Sequence, residues 1–190
     1  MKDNEKGTKL FCEAKKNILE NINKILNNYE GMKEISETVE SILKADKVFV
    51  YGVGRSGMVG RAFAMRLVQM GLKSHFIGES TTPIVSPQDL VIIISRTGET
   101  YSAIQTANIV RRVGTKLVVI TGKRGSKLSH AGNIVHLLTI DNDAQISSIA
   151  PLGTIFEITA LLFFDCIVAE LMDRMGENEN TMRARHAIWV

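Results

Sequence analysis

Two short apolar runs each end in a loop of glycines and hydroxyls that gives way to a helical pattern. Nothing else in the chain restricts the fold so strongly. Lys47-Val-Phe-Val-Tyr51 runs straight into Gly52-Val-Gly-Arg-Ser-Gly57, and Leu90-Val-Ile-Ile-Ile94 runs into Ser95-Arg-Thr-Gly-Glu-Thr100. An apolar run without alternation fits a strand buried on both faces, as in a parallel sheet with helices above and below. Each loop then stands between a buried strand and the start of a helix.

The rest of the chain fits the same plan. Ile18, Ile22, Ile25, Leu26 and Tyr29 recur at helical spacing within a segment from Leu10 to Tyr29, and Ile35, Val39, Ile42 and Leu43 mark a second helix. A third helix is expected from Met58 to Met70, with Gly71 ending it. Further strands are expected at Ser74 to Ile77, Lys116 to Ile120 and Ile134 to Leu138. Helices are expected from the second loop to about Val113, around Ser126 to Ala131, and from near Leu152 to about Met175. Strands alternating with helices predict an α/β fold with a doubly wound, mainly parallel sheet and helices on both faces. We expect one domain over 1–190, with residues 1–44 as helices packed on it and 177–190 as a polar tail.

Composition narrows the classes. At 190 residues and 45% hydrophobic, the chain can bury a core without disulfides or structural metal. A net charge of +3, with the amino-terminal lysines interleaved with acids, points away from nucleic acid. Cys12 and Cys166 lie in apolar helical contexts and are expected to be buried or half-buried free thiols, and no Cys/His cluster suggests zinc. The amino terminus is polar, and the apolar stretch Ile158 to Leu171 is too short to span a bilayer and is broken by Asp165 and Glu170, so no membrane partner and a cytoplasmic location are expected.

Gly52-x-Gly54-x-x-Gly57 is a backbone cradle whose helix N-terminus offers free N–H groups and a positive dipole. A dinucleotide site is one reading, since it asks for an acid about 20 residues on and Glu79 follows the second strand. Arg55 and Ser56 within the loop better suit a single phosphate or sugar hydroxyls. In the second loop Ser95, Thr97 and Thr100 place three hydroxyls around Gly98 at another helix start. Plain capping, with Thr97 as N-cap, would use one of them; three suggest a ligand.

These two loops resemble those of the sugar isomerase (SIS) domain family. Pro151-Leu-Gly-Thr-Ile-Phe-Glu157 and Arg185-His186-Ala187 resemble the hexulose-phosphate isomerase branch of it, as do Phe63-Ala-Met-Arg-Leu67 and Gly78-Glu79 with Thr82-Pro83. The likeness runs roughly from Ala45 to Ala187. It implies a flavodoxin-like five-stranded parallel sheet and a cofactor-free homo-oligomer, commonly a tetramer. It also implies interconversion of a 3-hexulose 6-phosphate and fructose 6-phosphate, in formaldehyde assimilation or, in reverse, pentose supply. It places the phosphate on Ser95, Thr97 and Thr100, with help from Gly54, Arg55 and Ser56. Two departures stand out. Arg96 occupies a position that is usually small in the family, where it becomes a further candidate phosphate ligand, and the tail ends Ile188-Trp-Val190 where the family usually has Asn-Leu-Glu.

Moving a carbonyl between C3 and C2 takes one base that reaches both carbons, and donors near the oxygens. Glu157 is the candidate base. It opens an otherwise apolar helix, although an acid is also simply favourable in a first helical turn. His186 is unremarkable by position, and the resemblance makes it a second acid/base group, in its own or a neighbouring subunit's site. His75 and His136 read as packing or surface residues, and His130 as the end of a short helix. Met58, Met65, Met70, Met172 and Met175 read as core or interface filler. No metal ligands are expected. Rival readings are a pentose-phosphate isomerase, a sugar-phosphate sensor and a nicotinamide-binding domain.

Overall fold

The computed structural model describes residues 2–139 and 148–188, with side chains from residue 8 onward. Two helices, α1 (Lys2–Asn27) and α2 (Met32–Lys44), precede β1 (Val48–Gly52), α3 (Gly54–Gln69) and β2 (Ser74–Phe76). Next come β3 (Leu90–Ser95), α4 (Tyr101–Val113), β4 (Lys116–Thr121), α5 (Lys127–Ala131) and β5 (Ile134–Leu137). The chain closes with α6 (Thr154–Met175) and α7 (Glu179–Ala184). The five strands are all parallel in the order β2-β1-β3-β4-β5, the flavodoxin-like doubly wound arrangement.

The unbroken apolar runs are explained by burial on both faces. Successive side chains of a strand point to opposite sides. Val48, Val50, Leu90, Ile92, Ile94, Val118 and Ile120 pack in one core with α1, α2, α3 and α6, while Phe49, Val91, Ile93, Leu117 and Val119 pack in the other with α4 and α5. Phe63 of α3 stacks on Phe164 of α6, with ring centroids 4.2 Å apart, and locks those two helices side by side.

His136 is a satisfied core histidine. Fully buried on β5, its two ring nitrogens meet Tyr29 Oη at 2.5 Å and Thr38 Oγ1 at 2.8 Å, and its ring lies against Phe163. Burial pushes its imidazole down to about 4 and the Tyr29 phenol up, so both are neutral near pH 7. The network ties the α1–α2 corner to the edge of the sheet.

Some boundaries and burials differ from expectation. Helix α3 starts at Gly54, not Met58, because Gly54 takes a positive φ (58°) after extended Val53 and lets the loop become the first turn. Both cysteines are exposed. In α6 the apolar residues run all round the helix, so the sequence marks no outward face, yet Leu161, Leu162 and Cys166 point out. Met70 is buried, and Met172 and Met175 pack against the core, whereas Met58 and Met65 are exposed. The tail contains α7, opened by a capping box between Asn178 and Thr181. Trp189 and Val190, part of the noted departure in the tail, lie outside the described residues.

Candidate active site

Strands β1 and β3 are parallel neighbours with Gly52 opposite Ile94, so their loops leave the same end of the sheet side by side, about 4.8 Å apart. The strand order reverses between them, and it is outside such a switch point that open α/β sheets place ligands. The helices that follow start without side-chain caps: Val53 precedes α3, Thr100 precedes α4 and its hydroxyl caps nothing, and Gly153 precedes α6. First-turn N–H groups are therefore left for a ligand at each start.

In the second loop, Thr97 is not the N-cap. Gly98, at φ 63°, gives the chain one more turn before the helix begins, so Thr100 takes the cap position. A Cβ on Gly98 would fall 2.0 Å from Ser126 Oγ, so only glycine lets the loop sit this close to α5. Ser95 is buried, its Oγ accepts from Gly98 N–H at 3.2 Å, and it shares a hydrogen bond of 3.0 Å with Thr100 Oγ1. Thr97 is exposed and accepts from Glu99 N–H. Behind the loop, Leu128 N–H donates to Gly98 O, Gly122 N–H donates to Arg96 O, and Glu99 is turned to Lys127, whose backbone N–H holds its carboxyl below the usual range. The loop is braced from the rear, with its hydroxyls free of capping duty.

Glu157 lies in the first turns of α6 and is 8% exposed. Its Oε2 accepts from Arg55 Nε of the first loop at 2.6 Å. Its Oε1 lies beside a slot left by Gly153. The point where a Cβ would sit there is 3.3 Å from Glu157 Oε1 and 3.0 Å from Arg96 Nε of the second loop. The carboxylate thus sits where both loops meet α6, paired with Arg55 and close to the Gly153 slot that the Arg96 side chain overlies. Ser56 is buried next to Arg55, and Gly54 opens the same turn with nothing within 4 Å of its missing Cβ. The segment before α6 is strained, since Leu152 holds a φ of 56°, rare for a leucine, while 89% exposed. Sequence reasoning passed over Gly153 and Leu152, although Pro151-Leu-Gly153 was the signal.

His186 is not brought to this site within one chain. Glu177 pairs with Arg185 through two hydrogen bonds, and Arg185 also donates to Gln69 O, docking the tail at the far end of α3. There His186 borders a cavity of about 390 Å³ with Arg66, Asp165 and Met172. Asp165 and Met172 lie about 12 and 22 Å along α6 from Glu157, by helical rise. Glu79, the acid a dinucleotide would need, is paired with Arg61, whose guanidinium lies over Phe76. Among the described residues no cluster of three or more His, Cys, Asp and Glu side chains could hold a metal, and no helix is long and apolar enough to cross a membrane.

Comparison with known proteins identifies the family. The 3-hexulose-6-phosphate isomerase of Methanocaldococcus jannaschii is 38% identical over 167 residues, 87% of this chain and 89% of that protein. A Bacillus subtilis protein of the same name is 32% identical over 90% of this chain and 95% of its own. A crystal structure of a Methanococcus jannaschii protein, from which a 3-hexulose-6-phosphate isomerase function was inferred, superposes with a TM-score of 0.81 at 35% identity, covering 93% of this chain and 97% of that one. The SIS domain matches residues 41–162, and the chain belongs to the SIS domain family.

Proposed function

We propose that the protein interconverts D-arabino-hex-3-ulose 6-phosphate and D-fructose 6-phosphate. The observation that carries this reading is the buried Glu157 carboxylate at the junction of two donor-rich loops. With the phosphate on the Ser95–Thr100 loop, Glu157 takes the proton from C2 of the 3-hexulose, and electrons move into the C3 carbonyl to give a 2,3-enediolate. A second proton passes from the C2 hydroxyl to the C3 oxygen, and return of the first proton to C3 then leaves the carbonyl at C2 and a hydroxyl at C3, which is fructose 6-phosphate. The oxygens that gain charge are met by N–H and guanidinium donors near the carboxylate, Arg96 over the Gly153 slot among them. These donors suffice for an enediolate without cofactor or metal. The names of the relatives support the substrate.

In this reading the active unit is a homo-oligomer, with four subunits as the form the family suggests. His186 of one copy would complete the Glu157 site of another as an acid/base group, because one chain holds the two residues apart along α6. The outward face of α3 and α6 supports association, for it exposes Met58, Met65, Leu161 and Leu162. Its substrates are charged metabolites of the cytoplasm, where we place the protein. The test is a coupled assay. A hexulose phosphate synthase makes the 3-hexulose from ribulose 5-phosphate and formaldehyde, and formation of fructose 6-phosphate on adding this protein supports the reading, while none refutes it.

A further inference from the structure

Arg55 stands between two acceptors that compete for its guanidinium. Its Nε donates to Glu157 Oε2 at 2.6 Å, and its loop lies beside the Ser95–Thr100 loop that would take the phosphate. The two members of the pair differ in freedom: the Arg55 side chain is 57% exposed and that of Glu157 only 10%. Arg55 is therefore the member that can turn. A phosphate monoester carries about −1.5 to −2 charge near pH 7, more than a carboxylate, and presents several strong acceptor oxygens to a guanidinium fork.

We propose that Arg55 is an exchangeable cap on the base. In the free chain it occupies Glu157 Oε2. The arriving phosphate draws it away and leaves that oxygen open to accept the substrate's carbon-bound proton. This rests on the reading of Glu157 as base and of the second loop as phosphate site. Only a hydrogen bond changes partners, and every N–H stays on Arg55. A sugar without a phosphate leaves the cap in place, so phosphate recognition and proton transfer become one event.

The test is a double-mutant cycle read by titration calorimetry with inorganic phosphate, on the native chain, Glu157→Gln, Arg55→Gln and the double variant. Each is first checked for an intact fold by thermal melting. Glu157→Gln keeps the shape but removes the competing charge, so phosphate should bind about two- to fivefold more tightly, the worth of a partly exposed ion pair. In the Arg55→Gln background that gain should vanish. Unchanged or weaker binding by Glu157→Gln would overturn the exchange, since Glu157 would then be indifferent to Arg55 or would hold it in place for phosphate. An equal gain in the Arg55→Gln background would overturn it too, because plain charge repulsion would explain the effect. A separate control addresses the underlying reading. If Ser95→Ala with Thr97→Ala leaves phosphate binding by the native chain untouched, the phosphate site lies elsewhere, and the exchange falls with it.

Discussion

The Arg96 side chain fills the space above Gly153: a Cβ on that glycine would lie 2.9 Å from Arg96 Cδ and 3.0 Å from its Nε. One residue departs from the usual small residue of the second loop, and the other opens the helix of Glu157. The missing side chain of Gly153 is what leaves room for the arginine over the start of the Glu157 helix. Gly153 also takes a φ of 96°. Gly153→Ala should cost about 1–2 kcal/mol of stability from backbone strain and displace Arg96, raising KM. Arg96→Gly should raise KM and reduce its salt dependence without the stability loss. Unchanged kinetics in both variants would show that Arg96 faces solvent only.

The second loop should discriminate by phosphate. Ser95→Ala with Thr97→Ala should weaken fructose 6-phosphate far more than unphosphorylated fructose, by roughly tenfold or more for lost hydrogen bonds to a charged group. Binding measured for both ligands decides. Equal weakening would place the phosphate elsewhere.

Subunit mixing tests the shared site. Glu157→Gln and His186→Ala chains should each be nearly inactive alone. After unfolding and refolding together, mixed assemblies should regain about a quarter of native activity if sites are built pairwise across a two-fold axis. No recovery, with mixed oligomers verified by mass spectrometry, would mean that the two residues do not meet across subunits.

His136 gives the fold a pH dependence whose sign can be worked out. Its imidazole titrates at about 4 in the folded chain and near 6.5 when unfolded. Between those values the unfolded chain binds more protons, so stability falls as pH falls through this window, by roughly 3 kcal/mol at most. Tyr29, Thr38 and Phe163 surround the ring, and none supplies a charge to offset protonation. Urea midpoints between pH 7 and 4.5 should decline, and His136→Gln should flatten the decline. An equally steep decline in that variant would assign it to other groups.

The strands and both loops were legible in the sequence because parallel strands buried on two faces leave long apolar runs, and glycines with hydroxyls mark where they end. Cys166 misled, since α6 is apolar all round and carries no stripe to show which side faces out. Helix α7 was hidden by its polarity, although Asn178 and Thr181, three apart, spell its cap. The pairing of Arg55 with Glu157 joins residues 102 positions apart, and no local pattern encodes it. His186 was legible as a motif but not as a place, for the tail is docked by Arg185 on Glu177 and the end of α3.

The most direct measurement is solvent exchange at carbon. Fructose 6-phosphate is incubated with the protein in D₂O and followed by proton NMR. Removal of a proton by Glu157 to form the 2,3-enediolate should bring deuterium in at C3, and Glu157→Gln, correctly folded, should slow this by about 10²- to 10⁴-fold. Deuterium entering at C1 instead would mean a 1,2-enediolate and a different isomerisation. Exchange at C3 at the native rate in Glu157→Gln would show that another group is the base.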